Sequence, residues 1–479
     1  MSLRPFSLFL ATLLVGCTVG PDYTPPQLLD GAEAPLVSVQ PKAETPDPVP
    51  DDWWRLYQDP LLDRFLAEAF DANADLAAAE ANLSVARAAL EAADAQRYPT
   101  TEVEVGGIYG RDATTDEILE LGKHRPKTTW LFQDVLDVSY EIDLFGHVRR
   151  TIEASKADAG AVAAARDLIR VTVAAETARA YANICTLGDR LAVARHSLEV
   201  VSHEASITAQ RRAAGAASNF DVARTEALVA QVRAEIPPLQ GQRRSALFQL
   251  TALLGRTPVH APTEAEACTT PPRLAAAIPV GDGAALLKRR PDIREAERRL
   301  AGATARIGVA TSELYPRVSL AGFDGGAAAT PSDLTSGVGL TWGVGPSISW
   351  SFPNMTGPIA RLHEANADAS VALSNFDATL LTALKETEQA LATYGAELDH
   401  RQALGDAQHK EHDAFDQAHD QYVVGALSNL DLLTTEQALV ATDAAVAASD
   451  AQLVQDQITL FKALGGGWQR ESRARVIVD

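Results

Sequence analysis

Apolar positions along this chain follow two rhythms, a long one of seven residues and a short one of two. Leu432, Leu439, Val446, Leu453 and Leu460 step by seven, and Val222, Val229, Ile236 and Leu250 hold the same frame with Arg243 interrupting it. Leu187, Leu191, Ala194, Leu198 and Val201 step by four and three. Such spacing keeps one apolar stripe of a helix turned toward a neighbour, so it predicts helices packed as coiled coils. The expected helices span roughly 61–97, 151–213 and 218–254, then roughly 291–314, 358–423 and 428–464. Arg290-Pro291-Asp292 marks a helix start, with proline in the first turn and Asp292 and Glu295 at the positive end of the dipole. A helix of about sixty residues rises about 90 Å, more than one globular core can enclose, so these helices must lie alongside one another. Pro237-Pro238 is expected to kink or interrupt its helix.

The short rhythm marks strands. In 338–350, Val338, Leu340, Trp342, Val344, Pro346, Ile348 and Trp350 alternate with Gly, Thr and Ser. In 136–144, Leu136, Val138, Tyr140, Ile142 and Leu144 alternate with Asp137, Ser139, Glu141 and Asp143. Weaker, glycine-rich partners lie near 101–110 and 317–324.

Helices and strands occur in the same order twice. Ala214-Gly215-Ala216-Ala217-Ser218-Asn219-Phe220-Asp221 matches Val424-Gly425-Ala426-Leu427-Ser428-Asn429-Leu430-Asp431, a separation of 210 residues. Thr225-Glu226 and Thr435-Glu436, Leu254-Gly255 and Leu464-Gly465, and Glu176-Thr177 and Glu386-Thr387 keep that separation. Tyr98-Pro99 matches Tyr315-Pro316 at 217, which places about seven extra residues in a loop of the first copy. The body is therefore a duplicated unit of long helices and a β-hairpin. The expected organisation is a leader over 1–16 and a proline-rich tether over 17–60. A first repeat follows over 61–270 with its hairpin at about 100–144, then a second over 271–468 with its hairpin at about 317–350, and a tail over 469–479.

The leader changes how the strands are read. Arg4 precedes an apolar run from Phe6 to Val15 that is too short for a permanent transmembrane helix, and the run ends in Leu14-Val15-Gly16-Cys17. This resembles the lipobox of bacterial lipoproteins, with Cys17 as the lipid attachment residue. Several acyl chains hold a protein on a membrane firmly. An ordinary signal peptide with an incidental cysteine is the alternative. Thr18, where an Asp would retain an enteric lipoprotein, points to the outer membrane by analogy. Taken alone, the alternating strands fit a soluble sheet resting on helices. Behind an outer-membrane leader they fit transmembrane strands of about 9–11 residues with aromatic ends. Backbone groups in lipid must all be paired, so four strands per chain require several chains to close a barrel.

Composition removes other classes. The 479 residues carry a net charge of −21 with no basic stripe, which disfavours nucleic acid. Three cysteines cannot build a disulfide scaffold, and zinc-ligand spacing is absent. Cys185 and Cys268 can pair in an oxidising compartment, yet nothing in the sequence sets their distance, and free buried thiols are the expectation. His409, His412, Asp416 and His419 share a helical face, read as solvated in preference to a metal site. No phosphate loop, nucleophile elbow or HExxH is present, so no enzyme, no metal and no cofactor beyond the lipid on Cys17 are expected. Only Met355 remains after maturation, which gives no support to a methionine-lined metal path.

With the lipobox, the duplication and the long helices together, the chain resembles the TolC-like outer membrane factor family, in its OprM/NodT-type lipoprotein branch. The most specific stretch is Leu286-Leu287-Lys288-Arg289-Arg290-Pro291-Asp292-Ile293, continuing through Ala296-Glu297 to Leu314-Tyr315-Pro316 and Val318-Ser319-Leu320. Cys17-Thr18-Val19-Gly20-Pro21-Asp22-Tyr23, Asp143-Leu144-Phe145-Gly146 and Ile236-Pro237-Pro238-Leu239 support it. The resemblance implies a mostly α protein with a transmembrane β-barrel. It would form a homotrimer whose twelve-stranded barrel continues into a periplasmic α-helical barrel. A mixed belt would draw on 256–285 and the tail. Its implied partners are outer-membrane lipid, a periplasmic adaptor and an inner-membrane pump. The implied role is the passive exit duct of a tripartite efflux system for small molecules such as drugs or toxic compounds. A duct for type I protein secretion, or a periplasm-spanning scaffold without a pore, are the alternatives.

The resemblance also places a gate at the helix–helix turns. Asp431 matches the family's ring of carboxylates, and Asp221 occupies its place in the first copy. Three Asp431 side chains near one axis attract cations and disfavour anions. Thr434 stands where some relatives carry a second Asp. Leu430 and Phe220 are candidates for an apolar constriction, and Arg211 and Arg212 for charge-assisted bonds to Asp221 or Asp431. The competing reading is that both Asp residues only cap helices. Gly215 and Gly425 are expected to end the long helices in a left-handed conformation.

Overall fold

A computed structural model describes residues 18–40, 43–110, 128–334, 336 and 340–467. The leader, Cys17, Val338 and the tail over 469–479 lie outside the described residues. Among the described residues the helices of seven residues or more are α1 (Pro60–Ala72), α2 (Ala74–Asp94), α3 (His147–Ala213), α4 (Asn219–Leu253), α5 (Gly283–Arg289), α6 (Pro291–Ser312), α7 (Thr356–Val423) and α8 (Asn429–Ala463). The main strands are β1 (Thr100–Gly110), β2 (Thr129–Ile142), β3 (Arg317–Ala328) and β4 (Leu340–Ser349). Among the described residues no helix is long and apolar enough to cross a membrane.

One local expectation needs correction, and another is narrowed. The helix read over 61–97 breaks at Asn73, which is buried at 5 % exposure. Its Oδ1 accepts from the Asp75 and Leu76 amides at 3.0 and 3.1 Å, while its amide donates to the Leu253 carbonyl at 3.1 Å. One side chain therefore starts α2 and ties it to the end of α4. Conversely, Pro237 and Pro238 do not interrupt α4, which runs through both. Adjacent prolines remove two donors and crowd the carbonyls of Arg233 and Ala234, and both of those residues are exposed, so water can serve the freed groups.

The chain divides into two compact units, each drawing on both repeats. The first comprises 1–26, 83–162 and 296–376. It holds a four-stranded antiparallel sheet in the order β1-β2-β3-β4. The central pairing, from Phe132 opposite Ala328 to Ile142 opposite Val318, joins the hairpins of the two copies. The extra residues of the first copy fall between Gly110 and Thr129. The N-terminal segment is fastened within this unit. Arg150, on α3 and with a side chain only 5 % exposed, donates to the Val19 and Gly20 carbonyls and pairs with Asp22 at 2.7 Å. Gly20 has a φ of +86°, and a Cβ there would lie 2.5 Å from the Gly308 Cα. A glycine is needed on both counts.

The second unit comprises 27–82, 163–295 and 377–479. The apolar stripes are buried in it: Leu432, Leu439, Val446 and Leu460 on α8, and Leu187, Leu191, Ala194 and Val201 on α3. Trp53 is fully buried and stacks on Phe461 at 4.7 Å. The proline-rich segment is stitched down: the Val37 and Ser38 amides donate to Glu388 at 2.7 and 2.9 Å, and Glu44-Thr45 pairs in parallel with Ile278-Pro279. Free cysteines were expected, but Cys185 and Cys268 form a disulfide with Cα atoms 4.7 Å apart. What brings them together is Arg243, the interruption in the α4 stripe, which donates to the carbonyls of Ile184 and Cys268 at 3.1 and 2.8 Å.

Candidate functional site

Two surfaces carry the functional expectation, the sheet in the first unit and the helix turns in the second. Residues opposite one another in an antiparallel register share a face. Val103, Leu136, Asp324 and Trp342 are aligned, as are Thr101, Val138, Gly322 and Val344, and Tyr140, Leu320 and Pro346. One face is thus largely apolar across all four strands, with Thr101, Asp134 and Asp324 as exceptions. Its side chains are uncovered within the chain: Val105 is 74 % exposed and Trp342 72 %. The opposite face carries Glu102, Glu104, Asp137, Ser139 and Glu141. Aromatic pairs stand at both ends of the strands. Tyr109 lies 5.3 Å from Trp130 at one end, and Phe145 stacks on Tyr315 at 4.6 Å at the other. Among the described residues β1 and β4 each pair along one edge only.

The turn that follows α3 and the turn that follows α7 are built alike. Gly215 and Gly425 have φ of +76° and +81°. A Cβ at either would meet nothing within 4 Å, so conformation, not crowding, selects glycine. Ala216 N donates to Arg211 O and Ala426 N to Gln421 O, both at 2.8 Å, which closes the helix ends. The next helix starts on a serine in each copy. Ser218 Oγ accepts from the Asp221 amide at 3.1 Å, and the Ser218 amide and hydroxyl donate to Asp221 Oδ2 at 2.9 and 2.7 Å. Ser428 Oγ accepts from the Asp431 amide at 3.2 Å and donates to Asp431 Oδ2 at 2.6 Å. The aspartates are therefore third residues of capping arrangements, and the serines are the caps. The Ser-x-x-Asp spacing is legible in the sequence, although the aspartates alone were singled out there. The Ser218 backbone and hydroxyl hold the Asp221 carboxyl below its ordinary range, with smaller pulls from Asn429 and Arg224.

The arginines do not do what was expected of them within the chain. Arg211 donates to the Tyr422 carbonyl at 2.9 Å and lies 4.2 Å over its ring. Tyr422 is buried among Ala418, Leu432, Ile207, Phe415 and Leu427, and the ring and carbonyl occupy the guanidinium before it can reach an aspartate. Arg212 is exposed and makes no ion pair with Asp221 or Asp431 among the described residues. Phe220 and Leu430 are 68 % and 48 % exposed. The histidine face divides between partners: His412 Nε2 lies 3.3 Å from Asp443, His419 Nδ1 lies 3.1 Å from Glu204, and His409 and Asp416 are exposed. The described residues contain no group of three or more His, Cys, Asp or Glu arranged to hold a metal.

A duplicated helix pair with a hairpin in each copy, joined into one sheet, is the fold of TolC-like outer membrane channels. The solved outer-membrane channel OprN superposes with a TM-score of 0.88 at 33 % identity, over 95 % of this chain and 100 % of that one. A sequence profile of the outer membrane efflux protein family matches residues 65–256 and 284–466, and the chain belongs to that family. Relatives include nodulation protein T of Rhizobium leguminosarum bv. viciae, 28 % identical over 98 % of this chain and 94 % of that protein. The pyoverdine export outer membrane protein OpmQ of Pseudomonas aeruginosa is 31 % identical over 98 % of each.

Proposed function

We propose that three copies of this chain form the outer membrane exit duct of a tripartite efflux system, exporting small molecules passively. One observation carries the reading: a four-stranded sheet with an uncovered apolar face, aromatic ends and two edges unpaired among the described residues. In hydrocarbon an open edge leaves backbone donors and acceptors without partners, so the sheet is stable there only when closed. Three copies supply twelve strands, within the range of membrane barrels. Cys17 anchors each copy in the outer membrane through covalent lipid. A periplasmic adaptor and an inner-membrane pump complete the system and provide the energy. Pyoverdine export by the relative OpmQ favours a small-molecule cargo over a secreted protein.

The helix turns are the periplasmic gate in this reading. Asp431 forms a ring of three carboxylates, Asp221 lies beside it, and the exposed Phe220 and Leu430 narrow the mouth. The duct does no covalent chemistry. Detergent-extracted protein should have the mass of a trimer and conduct ions in planar bilayers, and deletion should sensitise cells to compounds the pump exports. A monomer without conductance overturns the reading.

A further inference from the structure

About two helical turns into α8 from its Ser428 cap, Glu436 is 2 % exposed and its Oε1 has no hydrogen-bond partner. Across from it on α3, Glu204 is 4 % exposed with its Oε2 likewise unpartnered. The cation available to the pair is conditional: His419 of α7 sets Nδ1 3.1 Å from Glu204 Oε1 and is charged only when protonated. Among the described residues no arginine or lysine pairs with Glu204 or Glu436. On α4, Thr225 is buried with its hydroxyl on its own helix's carbonyls, and Glu226 is exposed. Arg211 is engaged by Tyr422, and Arg224 lies 5.6 Å from the Phe220 ring. His203 on α3 and Asp416 on α7 are exposed.

The duplication shows that this is no generic feature of the unit. At the 210-residue separation Glu436 corresponds to the exposed Glu226, Glu204 to Ala414, and His419 to Ala209. The second copy alone buries the glutamate, and it meets a second carboxylate and an imidazole that its counterpart lacks.

We propose that Glu204, Glu436 and His419 form a proton-operated latch that holds the ends of α3, α7 and α8 together while Glu436 is protonated and loosens the helix turns when that proton leaves. With a proton on Glu436, Glu204 is the single buried carboxylate of the pair, and His419 lies against it. With that proton gone, two buried carboxylates stand against each other, and repulsion and lost hydration drive the helices apart. The contacts between this cluster and the turns lie on the same helices. Thr208 donates to Asn429 at 3.4 Å one turn from Glu204, and Arg211 holds Tyr422 one turn from His419. Burial, and then the Glu204 carboxylate, push Glu436 from 4.5 up to about 7. A carboxyl raised in the folded state contributes stability that falls as pH rises from its ordinary value through the raised one.

The latch does not depend on the pore reading, so the test reads the turns directly by amide hydrogen exchange in the full-length protein in detergent. Protection at 213–219 and 423–429, corrected for intrinsic rates, should fall at least about tenfold between about pH 6 and about pH 8. Glu436→Gln, which mimics the protonated group, should stay protected and lose the pH dependence, and Glu204→Gln should do the same. A flat profile in the unmodified protein overturns the proposal, as does an unchanged profile in either glutamine variant. If both variants fail to fold, the unmodified profile decides alone.

Discussion

The guanidinium of Arg211 lies 4.2 Å over the ring of Tyr422 and donates to the carbonyl of the same residue, so the end of α3 is docked on the end of α7 by one side chain. Its position is demanding, because that carbonyl also accepts from the Gly425 amide at 3.0 Å in the turn. Replacing Arg211 with Ala should destabilise the docked ends by about 1–3 kcal/mol, read as faster amide exchange at 423–429. Lys should restore only part of this, since it keeps the charge and loses the planar fork.

Asp431 separates two roles that its position combines. Asp431→Asn keeps an acceptor for the Ser428 hydroxyl and removes the charge, whereas Asp431→Ala removes both. If the carboxylate ring gates, both variants should raise conductance in planar bilayers and shift ion selectivity away from cations. If Asp431 only caps, Asn should conduct as the unmodified protein does.

Asp221 offers a pH test with the opposite sign from Glu436. Its carboxyl is held below the ordinary range by Ser218, so its contribution is present at neutral pH and fades as pH falls through the lowered value. Exchange at the first amides of α4 should therefore accelerate below about pH 4, and Ser218→Ala should remove that dependence.

The Cys185–Cys268 bond spans 83 residues of sequence. Cys268→Ser should lower stability by about 2–5 kcal/mol, measured as a fall in denaturant midpoint. Reductant should produce the same fall in the unmodified protein and none in the variant.

The apolar face of the sheet predicts a contrast between neighbouring positions. Val344, 69 % exposed in the middle of β4, should cost about 2–4 kcal/mol when replaced by Lys if that face meets lipid, and membrane-assembled trimer should be lost. Ser347→Lys, on the other face of the same strand, should leave the trimer intact by mass.

The long helices, the hairpins and the tight turns were legible in the chain because each is set by local chemistry. A seven-residue apolar step defines a buried stripe on any helix, alternation defines a sheet face, and a left-handed glycine followed by Ser-x-x-Asp spells the end of one helix and the start of the next. The duplication supplied the order of elements, and the matching Ser218 and Ser428 turns followed from it. What the sequence could not decide was which distant groups meet. Asn73 breaks a periodic helix because the Leu253 carbonyl waits beside it, and Cys185 finds Cys268 because Arg243 binds the backbone carbonyls at both cysteines. Arg211 turns to Tyr422 and away from the aspartates because a ring and a carbonyl lie nearer. Glu226 and Glu436 occupy the same place in the two repeats, yet one is solvated and the other buried beside Glu204. Burial and charge pairing depend on neighbours contributed by other segments, and only packing in three dimensions supplies them.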